Sequence, residues 1–288
     1  MAKELQNELN DLVWLGTLNI EVSLHKSLVV AGTPADSSVC HLRIPRESYL
    51  VLYLPLILLK FKDILRFEII NKFHGWWFEV ENKPVYWNHP VGPLYDSLRW
   101  LNPNDKTREF DEDLIVMWKL TLNYSETLPV GMIPLINELN QVEDSWRHEW
   151  KQACFIMNGS SKQIMSLSIP DSKLFWHSVL IRDTKNFRNI ASKIVPRKGN
   201  MRAVPIRIHL TTLNGVEVIQ PNSKILRESS ATLGSLLRIE LPQLFDLGAI
   251  NADPIIQGIE VSLESQLISL YNGFASIDGF LHVSIRMI

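Results

Sequence analysis

Residues 76–101 read WWFEVENKPVYWNHPVGPLYDSLRWL. Trp76 to Glu79 and Pro84 to Trp87 are short runs rich in aromatic and β-branched residues, the composition of strands. Pro90-Val91-Gly92 is a turn signal, Pro93 to Leu101 reads as a short helix, and Leu114 to Leu122 reads as a further strand.

Working outward toward the start, Met1 to Leu12 reads as a short amphipathic helix with Leu5, Leu9 and Leu12 on one side. From Asp11 to Leu24 apolar residues recur at roughly every second position, which predicts a strand pair turning at Gly16. Ser38 to Ile44 is a second extended run ending at Pro45, and Glu47, Ser48 and the apolar segment to Phe67 look helical. The order strand, strand, helix, strands, short helix, strand is that of a β-grasp, or ubiquitin-like, domain. The last third repeats it: Val204 to Leu213, a turn at Asn214-Gly215, Val216 to Gln220, a helical piece near Thr232 to Ile239, and a strand from Ile255 to Val261. A helix from Leu263 to Gly273 and a strand from Phe280 to Met287 follow. A Leu-Tyr pair recurs in the short helix of each half, Leu94-Tyr95 and Leu270-Tyr271.

Between the two halves the period changes. Trp146, Trp150, Ala153 and Met157 fall at i, i+4, i+7 and i+11, one apolar stripe of a helix. Arg147 and Lys151, also one turn apart, lie on a neighbouring face. Asn158-Gly159 ends the helix because glycine takes the left-handed cap conformation without a Cβ penalty. Ser160 or Ser161 then caps a second helix beginning near Lys162, expected to bury Ile164, Met165 and Leu167. The expected organisation is a helix and first ubiquitin-like domain over 1–124, a helix-rich domain over 125–195, and a second ubiquitin-like domain over 201–288, joined by the basic Pro196 to Asn200. The fold class is α+β.

Composition excludes more than it selects. With 29 basic and 31 acidic residues the net charge of -2 provides no field for holding nucleic acid, and no nucleic-acid partner is expected. The most apolar stretch, Tyr49 to Leu59, is well short of the ~20 residues needed to span a bilayer, and the start is not a signal peptide. Cys40 and Cys154 are too far apart in sequence and context to build a disulfide framework or zinc site, which fits a reducing compartment. His74, His89, His177 and His209 lack metal-ligand spacing and read as surface or hydrogen-bonded residues. No cofactor is expected. Phosphate-binding loops, nucleophile elbows and zinc-protease motifs are missing from the sequence, and His148 lies on a different helical face from Cys154, which reads as a small buried residue. By pattern alone Lys151 is either a solvated basic flank or a functional amine.

Several long, ordered stretches resemble the autophagy protein 5 family in its fungal branch: Pro45 to Leu50, Tyr53 to Ile57, Trp77 to Glu79, Lys83-Pro84 with Trp87-Asn88, Pro90 to Gly92, Trp150 to Ser168 and Asp278 to Leu281. The resemblance implies two ubiquitin-like domains flanking a helix-rich one. It also implies that the lysine of Trp150-Lys151-Gln152 forms an isopeptide bond with the C-terminal glycine of a ubiquitin-like modifier, autophagy protein 12, delivered by the conjugating enzyme autophagy protein 10. A lysine amine is almost wholly protonated at neutral pH, so the activating chemistry must come in trans; the chain, ending Arg286-Met287-Ile288, has no glycine to donate and is expected to accept a modifier only.

The family further implies a groove for the N-terminal helix of a coiled-coil partner, autophagy protein 16. The conjugate is implied to act like a ligase, through autophagy protein 3, in joining autophagy protein 8 to phosphatidylethanolamine at the preautophagosomal membrane. Lys162, Arg197 and Lys198, with Arg202, are candidate contacts with anionic headgroups. Two rival readings remain: a non-covalent adaptor, and a ligase with a thioester at Cys154.

Overall fold

The computed structural model describes residues 2–68, 73–99, 116–197, 200–212, 215–221, 231–246 and 250–287. In the first third, β1 (Thr17–Leu24) pairs antiparallel with β2 (Val39–Pro45), Thr17 opposite Pro45 and Ser23 opposite Val39. On its other side β1 runs parallel to β5 (Met117–Tyr124), which pairs antiparallel with β3 (Trp76–Val80); β4 (Lys83–Val85) closes the edge. The order is β2-β1-β5-β3-β4. One face of this sheet is covered by α2 (Leu54–Phe61), which buries Leu54, Ile57, Leu58 and Phe61. The short α3 (Val91–Leu98), beginning after Pro90, is buried along its whole length.

The last third repeats this plan. β6 (Ile206–Thr212), β7 (Gly215–Ile219), β8 (Ala252–Ile256), β9 (Ile259–Glu260) and β10 (Leu281–Met287) take the order β7-β6-β10-β8-β9, with β6 and β10 as the central parallel pair. α8 (Leu233–Glu240), closed at its start by a reciprocal Thr232–Ser235 capping box, stands where α2 stands; α9 (Pro242–Phe245) follows, and α10 (Leu267–Phe274) matches α3. The internal repeat expected from the strand order is therefore present.

The middle is helical: α4 (Asn140–Asn158), α5 (Lys162–Met165), α6 (Ile169–Leu180) and α7 (Thr184–Ile194). Ser168 and Asp183 cap α6 and α7, accepting from the Asp171 and Asn186 backbone N–H groups. Trp146, Trp150, Ala153 and Met157 are buried, as their spacing predicts. Around them an aromatic core joins the helices to the chain's start: Trp146–Phe175 at 4.8 Å between centroids, Phe175–Phe187 at 5.0 Å and Trp14–Phe187 at 4.9 Å.

Four expectations need correction. The stretch from Asp11 is no strand pair: α1 (Ala2–Leu15) continues to Gly16, and only then does β1 begin. Helical spacing wins there because Trp14 packs on Phe187 and Val13 faces the same side, whereas Leu12 and Leu15 are exposed. The helix expected from Glu47 to Phe67 is a 3-10 turn at Leu50–Tyr53 followed by α2, with Pro55, which has no N–H to donate, in the first turn where none is needed. The strand expected over Ile255 to Val261 is a hairpin, turned by Gln257 and Gly258 with φ of 52° and 80°. Met165, expected in the core, is 69% exposed. Leu114 in the predicted β5, Leu101 in α3, Leu5 in α1 and Asn214 in the β6–β7 turn lie outside the residues, or the side chains, that the structure describes.

Candidate functional site

Lys151 lies at the start of the fourth turn of α4, just off the buried stripe. It is exposed, and among the described residues no hydrogen bond or ion pair holds its ammonium. What surrounds it is fixed. Trp150 before it is 2% exposed, and the Trp146 and Trp150 indoles both donate to the Ile277 carbonyl, each at 2.7 Å. That one oxygen ties two consecutive turns of α4 to the segment preceding β10. On the other flank Glu149 pairs with Arg207 of β6, and the same guanidinium donates to Gln152 Oε1 at 3.1 Å. Gln152 in turn contacts His148 at 2.9 Å. Residues before and after Lys151 are thus locked to the second ubiquitin-like domain while its own side chain is free to reach.

The helix ends as its sequence predicts. Gly159 takes φ 72° and its N–H donates to the Phe155 carbonyl at 2.7 Å, while the Arg202 N–H donates to the Met157 carbonyl at 2.7 Å. A cavity of about 330 Å³ lies beside Lys151, lined by Gln152, Phe155, Ile156, Ser161 and Gln220. Phe155, one turn beyond the lysine, is 59% exposed. No carboxylate or imidazole lines this cavity among the described residues, so the site offers an amine beside an apolar surface and no group of its own to take a proton.

Arg147, one turn before Lys151, is no free basic partner: it binds Glu143 at 2.8 Å and also the Ser172 hydroxyl and carbonyl. Cys154 is fully buried, close to the Ser160 carbonyl (3.4 Å) and Gln163 Oε1 (3.5 Å). Lys162 opens α5 and is exposed, next to Ser161 of the cavity; Arg197 is exposed beyond α7, and Arg202 is exposed beside Gly159. Lys198 lies outside the described residues. Sequence reasoning missed Phe155, Ser161 and Gln220. The usable signal was an aromatic residue at i+4 from Lys151 on the polar side of α4.

Of the histidines read as surface or hydrogen-bonded residues, two are buried, and His209 is hydrogen-bonded to His282 at 2.7 Å. His89 and His209 are 8% and 0% exposed and meet edge to face at 5.4 Å.

A second concavity, of about 390 Å³, runs between the first ubiquitin-like domain and the helical one. Its walls include Leu52, Tyr53, Leu139, Trp176 and Leu180, with Glu143 and Arg182 at its margin.

Models of three parts of one family match almost the whole chain: autophagy protein ATG5, UblA domain, over residues 13–124; its alpha-helical bundle region over 139–197; and its UblB domain over 203–285. The autophagy protein 5 of Eremothecium gossypii is 56% identical over 279 residues, covering 97% of this chain and 95% of the relative. That of Vanderwaltozyma polyspora is 40% identical (98% and 96% covered), and that of Saccharomyces cerevisiae 34% (97% and 95%). The crystal structure of Kluyveromyces marxianus Atg5 superposes with a TM-score of 0.82 at 37% identity, covering 96% of this chain and 99% of that one. With two ubiquitin-like domains flanking a helical bundle, the chain belongs to the autophagy protein 5 family.

Proposed function

We propose that this chain is a scaffold of autophagosome formation, joined through Lys151 Nζ to the C-terminal glycine of autophagy protein 12. The observation that supports this most is an exposed amine, unpaired among the described residues, on a helix whose neighbouring residues are pinned on both sides. The amine attacks the thioester of the modifier carried by autophagy protein 10; the C–N bond forms, the C–S bond breaks, and the enzyme's thiol leaves. Among the described residues the cavity beside Lys151 offers no base, so the conjugating enzyme is the proposed source of the proton acceptor. The pinned helix lowers the orientational cost of that encounter.

The concavity between the first domain and the bundle, with Leu52, Tyr53, Trp176 and Leu180, suits one apolar face of the autophagy protein 16 helix. The conjugate then promotes, through autophagy protein 3, transfer of autophagy protein 8 to phosphatidylethanolamine, working in the cytoplasm and peripherally at the preautophagosomal membrane. Lys162, Arg197 and Lys198 are proposed headgroup contacts there. The full burial of Cys154 opposes the thioester-ligase reading.

The test is incubation with autophagy protein 12, its activating enzyme, autophagy protein 10 and ATP, followed by peptide mapping. A single branched peptide at Lys151, abolished by Lys151→Arg, is expected. Attachment at Lys162 or Lys173, or none in the wild type, overturns the assignment.

A further inference from the structure

Alternation along β6 and β10 divides the second sheet into two chemically distinct faces. Ile206, Ile208, Leu281, Val283 and Ile285 belong to the apolar core, whereas Arg207, His209, His282 and Ser284 form a polar face that is equally buried. That polar face is covered from outside its own domain. Thr211 Oγ1 donates to the Ser97 carbonyl at 2.8 Å, and Ser97 Oγ meets Ser284 Oγ at 3.0 Å, so α3 of the first domain lies against it.

At the centre of the seam three imidazoles form a chain. His282 Nε2 contacts both Asp278 oxygens, at 2.9 and 3.1 Å, and His282 Nδ1 meets His209 Nε2 at 2.7 Å. The His209 ring receives the His89 ring of the first domain edge-on. The far nitrogens, His209 Nδ1 and His89 Nδ1, are buried without a hydrogen-bond partner among the described residues. Buried polar atoms of this kind are costly and uncommon, and two of them belong to adjacent rings at one domain boundary.

We propose that the His89–His209–His282 cluster makes the seam between the two ubiquitin-like domains acid-labile: protonation of His89 and His209 frees the second sheet from α3, separating the domains before either unfolds.

The surroundings set the sign. β6 contributes Arg207, whose guanidinium is paired with Glu149 of α4; the turn before β10 contributes Asp278, already engaged by His282; α3 contributes Asp96, paired with Arg46; and Tyr49 adds a neutral phenol. Burial, then Arg207 and His282, push His89 down to about 3; burial, then His282, His89 and Arg207, push His209 well below its ordinary value. A group whose pKa is depressed in the closed state adds its stability above the exposed imidazole value of ~6.5 and loses it as pH falls below that value. Two such groups steepen opening up to ~100-fold per pH unit below about pH 6. Glu149 and Asp96, raised by burial, take up protons in the closed state and work against the effect, so the ~100-fold slope is an upper bound.

The experiment is backbone hydrogen exchange of the full chain between pH 7.5 and 5.5, corrected for intrinsic rates, with small-angle scattering at each pH. Amides of α3 and β10 are expected to lose protection by one to two orders of magnitude, with a rise in radius of gyration, while those of α2 and α8 hold. Substituting His89→Gln should reduce the slope to ~10-fold per unit, and His89→Gln with His209→Gln should abolish it. If the double variant does not fold, the single variant alone tests the slope. Protection independent of pH in the wild type, or equal loss in α3 and α8, overturns the proposal.

Discussion

The Ile277 carbonyl accepts two indole N–H groups, and this sharing has a measurable signature. Replacing Trp150 by Phe removes one donor but leaves the oxygen satisfied by Trp146; the reverse substitution does the same from the other side. Each single change therefore costs one net hydrogen bond, ~1 kcal/mol, plus the volume lost on shrinking a fully packed ring, ~1–2 kcal/mol. Removing both leaves the carbonyl bare in a core where both rings are nearly inaccessible, adding a desolvation penalty of ~1–3 kcal/mol that neither single variant meets. The two indoles also touch, 6.5 Å between centroids in a T-shaped arrangement, and loss of that contact pulls the coupling the other way by ~0.5–1 kcal/mol. The desolvation effect is the larger, so the double variant should be less stable than the sum of the singles by ~1 kcal/mol. Urea unfolding of the four proteins, followed by circular dichroism at pH 7.5, measures this. Costs that add, or a double variant more stable than the sum, would refute the shared-acceptor account.

Glu47 provides a harsher test of the domain junction. Its carboxylate accepts from Ser276 Oγ at 2.5 Å, the Ile277 N–H at 2.8 Å and Gln257 Nε2 at 2.6 Å, while its carbonyl accepts from Arg182 at 2.6 Å. Glu47→Ala strands three donors and should lower the urea-unfolding free energy by ~3–5 kcal/mol; a loss below about 1 kcal/mol would mean that water replaces the carboxylate. At Gly159, where φ is 72° and an added Cβ would run into the Arg202 guanidinium, Gly159→Ala should cost ~1–2 kcal/mol in the same assay, and Gly159→Asn, better suited to that backbone, less.

What the sequence disclosed depended on whether a pattern was both periodic and unambiguous. The β-grasp order, its repetition and the α4 stripe were legible because strands and helix kept their periods over whole elements, and Gly159 was legible because only its position matched a helix end. The stretch from Asp11 misled because Val13, Leu15, Leu18 and Ile20 mimic alternation across a helix-to-strand boundary at Gly16. The β8–β9 hairpin was hidden by a two-residue turn within a continuous run. The buried histidines were missed for a deeper reason: alternation of apolar and polar residues along β6 and β10 reports that one face is polar, not that it is wet. A second domain covers that face, and its covering residues lie more than a hundred positions away. Lys151 was placed correctly on the outside of α4 by periodicity, yet nothing in local pattern distinguished it from other lysines; only the family motif did.

The repeated short helix has one more consequence. In the first domain α3 grips the sheet of the second; in the second domain α10 receives α1, with Gln6 donating to the Asn272 carbonyl at 2.7 Å and Leu9 seated against Gly273. Since α1 leads directly into β1, the chain's beginning is fastened to its last domain, whose sheet is fastened back to the first, and the molecule is closed into a topological ring without a covalent cross-link. Either clasp, when open, leaves its partners tethered at high effective concentration by the other, so reclosure is fast and unimolecular.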